Sequence, residues 1–292
     1  MNRIWSVFFG RGLVETAEDF GIQGKAPSHP ELLDWLAREF IRSGWNVKAL
    51  IKKIVLSSAY RQASALRPDL REKDPLNVLL ARGPSERLSA ESIRDTALLA
   101  SGLLNSRLGG PPVSPYQPGD LWRESNSMSP AYKESLGRDL YRKSLYTVWK
   151  RTSPMTNMAA FDAGTREVCI ARRQTTNTPL QALVLLDDPQ FVEAARVVAE
   201  RVLKESGPTS AEKAHYAFRL LAIREPSPRE TKLLVSLYED QLASFKKEPE
   251  MAAKLIKIGA SKADPALPPA ELAAATVLAQ TVLNLDATIW KR

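Results

Sequence analysis

The stretch Thr178-Pro-Leu-Gln181, Ala182-Leu-Val-Leu-Leu186, Asp187-Asp-Pro-Gln-Phe191 decides the fold class. A threonine ahead of a proline at the first helical position, with glutamine three residues on, predicts a reciprocally capped helix running into Leu183-Val-Leu-Leu186. Asp188-Pro189 restarts the pattern at once, and Phe191, Val192, Ala195, Val198 and Val202 follow at helical spacing. A short buried helix therefore meets a longer amphipathic one at a corner.

The same start signals recur on both sides. Ser28-His-Pro-Glu31 reads as a capping box ahead of Leu32, Leu33, Trp35, Leu36 and Phe40. Asn46 caps a helix with Val47, Leu50, Ile51, Ile54, Val55 and Tyr60 on its apolar face and Lys48, Lys52 and Lys53 in solvent. Asp74-Pro75 opens a short helix through Leu76, Val78, Leu79 and Leu80, and Ser89 caps a longer one through Ile93, Ala97, Leu98 and Leu104. Thr209-Ser-Ala-Glu212 and Ser227-Pro-Arg-Glu230 are two further capping boxes, with core positions Ala217, Phe218, Leu221 and Leu233, Leu234, Leu237, Tyr238. The last helix is expected over Glu271–Ile289.

Between these blocks, residues 107–135 carry Gly109-Gly110-Pro111-Pro112, Pro115, Pro118-Gly119 and Pro130, which leave no room for a long regular element. Leu145, Tyr146, Thr147, Val148 and Trp149 favour an extended segment over 141–151, with a helix as the alternative. The reading is all-α, an irregular set of about nine to eleven helices. It is organised as one helical domain over 1–292: N-terminal helices to 106, a loop-rich polar segment over 107–177, and C-terminal helices from 178.

Composition agrees with an ordinary globular chain. Among 292 residues, 44% are hydrophobic and 25% charged, with 6 Trp, 7 Tyr and 8 Phe, which excludes wholesale disorder. One cysteine, Cys169, excludes an internal disulfide, and with only His29 and His215 beside it no Cys/His zinc site assembles. The sequence lacks C-x-x-C-H, so no haem attaches covalently to these residues, and no cofactor or metal is expected in this chain. The apolar run Ile4–Phe9 is too short for a signal peptide and reads as a buried helix. Leu272–Leu285 is interrupted by Gln280 and Asn284, so no membrane span is expected.

The densest polar region holds Lys150, Arg151, Asp162, Arg166, Glu167, Arg172, Arg173 and Asn177. Guanidinium groups gathered in such a stretch could hold a carboxylate, sulfate or phosphate by paired hydrogen bonds. The competing reading is an ion-pair network that braces an irregular segment. A second cluster has Arg3, Arg11, Glu15, Glu18, Asp19 and His29, with Gly10, Gly12, Gly21 and Gly24 between them. His29 could shuttle a proton with Asp19 orienting it, or simply sit in a helix cap while Asp19 caps a turn. Neither glycine group has phosphate-loop or dinucleotide spacing. Cys169 has arginines nearby in sequence but no histidine that can be placed beside it. Of the tryptophans, only Trp122 is expected at the surface. The formal charge of +8 raises nucleic-acid binding as an alternative, yet Lys and Arg are spread along nearly every helix and no reader motif appears, so nucleic acid is not the expected partner.

Several segments, in order, carry a resemblance: NRIW, FGRGLV and HPELLDWLA; then SSAYRQ and RLSAESIRD; then SLYTVWKRTSP, FDAGTREVC and TNTPLQALVLLDDPQF. Nearly end to end, the chain resembles a planctomycete domain of unknown function, the PSD-one family. The resemblance implies the C-terminal part of a large secreted protein, periplasmic or extracellular, whose upstream portion holds a cytochrome-c-like domain and a second helical domain as partners. Haem c would then reside only in that upstream domain. Met1 falls inside the first expected helix, which implies a fragment of a longer multidomain chain. Members of the family carry a pair of histidines where this sequence reads Ser6-Val7-Phe8-Phe9, so the resemblance implies no ligation there. The function it suggests is an accessory or ligand-binding module, for an anionic polysaccharide or for electron-transfer assembly; an enzyme with its site over 150–177 is the alternative.

Overall fold

The computed structural model describes residues 1–119, 121–125, 127–128 and 130–291. The chain clusters into two compact units: Met1–Arg87 with Val168–Gln174 and the chain end from Trp290 form unit one, and Leu88–Glu167 with Thr175–Ile289 form unit two.

Unit one contains α1 (Asn2–Phe9), α2 (Pro30–Arg42), α3 (Val47–Leu56) and α4 (Pro68–Lys73), with a two-residue antiparallel pairing of β1 (Glu86–Arg87) and β2 (Trp290–Lys291). Trp5, Phe9, Leu13, Leu36, Leu50 and Ile54 form its core. Trp5 and Phe9, one turn apart on α1, stack with ring centroids 4.2 Å apart, and Tyr60 meets Phe9 edge-on. Asn2 accepts from Val14 N–H at 2.8 Å and donates to Val14 C=O at 2.9 Å, which folds the chain back across α1.

Three local expectations fail here. Ser28 and Glu31 form no capping box, because Ser28 turns both its N–H and its hydroxyl to the carbonyl of Leu13; His29 becomes the N-cap residue of α2 without a side-chain cap bond. Residues 75–80 form turns, not a helix. The two carboxylate oxygens of Asp74 take the N–H groups of Val78 and Leu79, and Asn77 and Leu80 adopt positive φ of 52° and 56°. By contrast, Asn46 caps α3 through Ala49 N–H as expected. Trp35 and Trp45 are exposed, against the expectation that they lie in the core.

Unit two contains α5 (Ala90–Ser101), α6 (Leu121–Ser125), α7 (Thr156–Ala160), α8 (Pro179–Asp187), α9 (Pro189–Glu205), α10 (Ser210–Ala222), α11 (Pro228–Lys247), α12 (Pro249–Leu255), α13 (Pro269–Leu283) and α14 (Asp286–Ile289). The described residues thus form fourteen helices, an essentially all-α chain, with more short helices than the sequence suggests. Helix α13 is buried nearly all round, and its alanines 273, 274, 275 and 279 let α9 approach closely. Helices α10 and α11 pack against α13, and α5 packs against α9. Leu234 and Tyr238 face this core, whereas Leu233, expected to join them, is exposed. Two of the predicted capping boxes form, at Thr209–Glu212 and Ser227–Glu230, and Ser89 and Asp188 cap α5 and α9.

Helix α8 starts where expected, but Thr178 makes no side-chain cap bond. The amide of Gln181 reaches instead to Ala160 C=O at 3.0 Å and to Thr176, tying α8 to the end of α7. The 141–151 segment is no regular strand: 3₁₀ turns at Gly137–Tyr141 and Ser144–Tyr146 alternate with single β-bridges at Arg142, Thr147 and Lys150. Buried guanidinium groups anchor it. Arg94 donates to Leu140 C=O, Arg142 C=O, Ser144 Oγ and Gln190 Oε1. Arg142 in turn donates to the carbonyls of Arg107, Gly109 and Pro111 and lies 3.9 Å from the ring centroid of Tyr146. Irregular backbone needs such partners for carbonyls that no ladder uses. No helix among the described residues is long and apolar enough to cross a membrane.

Candidate functional site

The expected site residues divide between the units. Lys150, Arg151, Asp162, Arg166, Glu167 and Asn177 lie in unit two; Arg172 and Arg173 lie in unit one with Arg3, Asp19 and His29. In unit two each group has its own local setting. Lys150 donates to Trp122 C=O at 3.1 Å and sits over the half-buried Trp122 ring. Asp162, at φ 60°, accepts from the N–H and hydroxyl of Thr176. The Arg166 guanidinium lies 4.8 Å from the centre of the Trp149 ring, and Arg151, Glu167 and Asn177 are exposed. In unit one, Asp19 accepts from Gly21 N–H within a turn and His29 occupies the N-cap position of α2 without a side-chain cap bond, while Arg3 and Arg173 are exposed. Cys169 is a free, exposed thiol.

Arg172 has a different setting. It lines a polar cleft of about 280 Å³ in unit one, together with Arg11, Arg82, Glu15, Glu86 and the turn from Pro75 to Ser85. Local folding builds each wall. Helix α1 ends at Gly10, whose φ of 74° lets its N–H return to Ser6 C=O at 2.8 Å and sends Arg11 into the cleft mouth. The turn wall is held by Asp74 and by Asn77, whose side chain bonds both the N–H and the C=O of Arg82. Arg82 spends its two terminal nitrogens on the carbonyls of Asp74 and Pro75, at 3.2 and 2.7 Å, which fixes its guanidinium plane. Gly83 packs so closely on the carbonyl of Gln62 that a Cβ there would collide with it.

The charges in this cleft are unequal. Glu15 is bound by Lys25 at 2.7 Å and by Arg11 at 2.9 Å, and the Lys25 hydrogen bond above all holds its carboxyl below the usual glutamate range. Glu86 is pushed the other way: burial raises its pKa, partly offset by the charges of Lys291 and Arg172. Three cations, Arg11, Arg82 and Arg172, thus line the cleft beside two carboxylates, one of which resists ionising, while Lys25 and Lys291 act on those carboxylates from outside the lining. Arg172 is exposed and makes no hydrogen bond among the described residues; it bears on Glu15 and Glu86 only through its charge. Such a site favours a planar or tetrahedral oxyanion that a guanidinium grips at two oxygens.

Sequence reasoning placed Arg172 among the site candidates and Arg11 and Glu15 in the second cluster, but missed Arg82 and Glu86. No local pattern marks them, because they meet Arg11 across more than seventy residues of chain. The glycines around Gly10, with Arg11 and Glu15 set among them, were the visible sign of this wall.

A family model matches residues 1–238; its description is PSD1, protein of unknown function (DUF1553). No curated protein and no solved structure matches the chain.

Proposed function

The chain belongs to the PSD1 family, and we propose that within it the chain is a binding module that holds an anionic ligand in the arginine-lined cleft of unit one. The observation that carries this reading is the excess of cations over carboxylates in a polar cleft, with the Arg172 guanidinium uncommitted. The ligand class is the carboxylate or sulfate group of an acidic polysaccharide, whose repeating charges suit a basic protein in multivalent contact. The segments that resemble the planctomycete PSD-one family support a setting outside the cytoplasm, beside upstream cytochrome-c-like and helical domains that would carry any haem.

Calorimetric titration with a sulfated oligosaccharide and with a galacturonate oligosaccharide tests this, with a neutral glucan of equal length as control. Binding should be confined to the charged sugars and fall steeply with salt. Arg172→Ala, at an exposed position, should weaken it about tenfold with an unchanged unfolding midpoint. Equal binding of the neutral glucan, or an indifferent Arg172→Ala variant, would remove the assignment.

A further inference from the structure

Although the chain is basic, one cleft of unit two has the opposite character. It measures about 320 Å³, lies between the proline-rich loop and one side of α8, and its described lining includes Glu134, Asp187 and Asp188 but no lysine or arginine. Its apolar wall comes from Leu180, Leu183 and Val184, the first two more than half exposed. Asp188 already has employment: it caps α9 through Gln190 N–H at 2.9 Å, and the buried Arg94 offsets its charge. Glu134 from the loop and Asp187 from α8 therefore carry the unbalanced negative charge.

Gln117 forms part of the same wall. It is only 7% exposed, and neither its amide oxygen nor its amide nitrogen has a partner among the described residues. A buried amide left unpaired is costly, and beside a cleft with apolar walls and a few convergent polar groups it points to a ligand that supplies the missing partner.

We infer that this cleft binds a small organic ammonium with an apolar body. The ammonium sits against the carboxylates of Glu134 and Asp187 and donates to Gln117 Oε1, while the apolar part covers Leu180, Leu183 and Val184. The site is separate in residues and opposite in charge preference from the arginine-lined cleft, so it stands whether or not that cleft binds an anion.

Phenethylammonium is a suitable probe, with 3-phenylpropionate as an anion of similar size. Titrated into the full chain, the ammonium should bind at least about tenfold more tightly than the carboxylate. The double variant E134Q/D187N should abolish that preference, and Leu183→Lys, also at an exposed position, should abolish ammonium binding, both with an unchanged unfolding midpoint. No binding of phenethylammonium up to about 10 mM, equal binding of the two probes, or an unaffected double variant overturns the proposal.

Discussion

The carboxylate of Glu86 occupies the space that a side chain at Gly10 would need. Gly10 therefore meets two demands: a φ of 74°, which ends α1, and room for a carboxylate carried by a distant strand. The half-buried acid and the helix end are one construction.

Gly10→Ala should destabilise unit one by about 2 kcal/mol, since it strains the left-handed backbone and must also displace Glu86. Urea unfolding followed by tryptophan fluorescence measures this, Trp5 lying on α1 five residues before Gly10. A loss under about 0.5 kcal/mol would show that Glu86 moves aside freely.

Burial raises the Glu86 pKa in the folded chain. The folded state then binds its proton more readily than the unfolded state, so this group's favourable contribution is complete below the unfolded pKa and is lost as pH rises through the folded one. Glu86→Gln should accordingly gain stability relative to the parent between acidic and neutral pH. Urea midpoints for both proteins at pH 4 and pH 7 decide it; a gap that narrows as pH rises reverses the sign and refutes the argument.

Glu230 has the opposite linkage. It accepts from Arg224 at 2.6 and 3.0 Å and from Ser227 N–H at 2.8 Å, and the Arg224 bond above all lowers its pKa to about 2. Its contribution is present above the ordinary glutamate range and is lost as pH falls towards about 2. Glu230→Gln should cost about 1 kcal/mol at pH 7 through the weakened capping box, and the difference should shrink in acid. Thermal unfolding of both proteins at pH 7 and pH 3 checks it.

Arg94→Met should be the most damaging of these substitutions, at about 3 kcal/mol or more. Burial draws the Arg94 pKa down to about 10, well above neutral, so the group is charged where it lies. Its removal orphans Leu140 C=O, Arg142 C=O and Gln190 Oε1 together. Hydrogen exchange should show the 137–147 segment loosening before α9 and α13 do. Uniform loss of protection across unit two would assign Arg94 to the helical core instead.

The two capping boxes that formed as read, at Thr209 and Ser227, link residues three apart, and neither hydroxyl is drawn to a distant carbonyl. The two that did not form show what competition does. Ser28 found Leu13 C=O, and Gln181 found Ala160 C=O, partners that become neighbours only after folding. Asp74 behaved likewise: its carboxylate took Val78 and Leu79 N–H and closed a turn where Asp-Pro promised a helix.

The residues alone determined the helical class, most helix starts and the family, because capping geometry and the 3.6-residue apolar period are written within a few positions of one another. Tertiary structure alone decided which polar groups meet. Arg94 joins Gln190, Tyr116 joins Glu193, and Arg82 joins Arg11 and Arg172 in one cleft. A charged side chain's partner is set by where the backbone finally brings it, and the cost of burying it unpaired is felt only once water has been excluded.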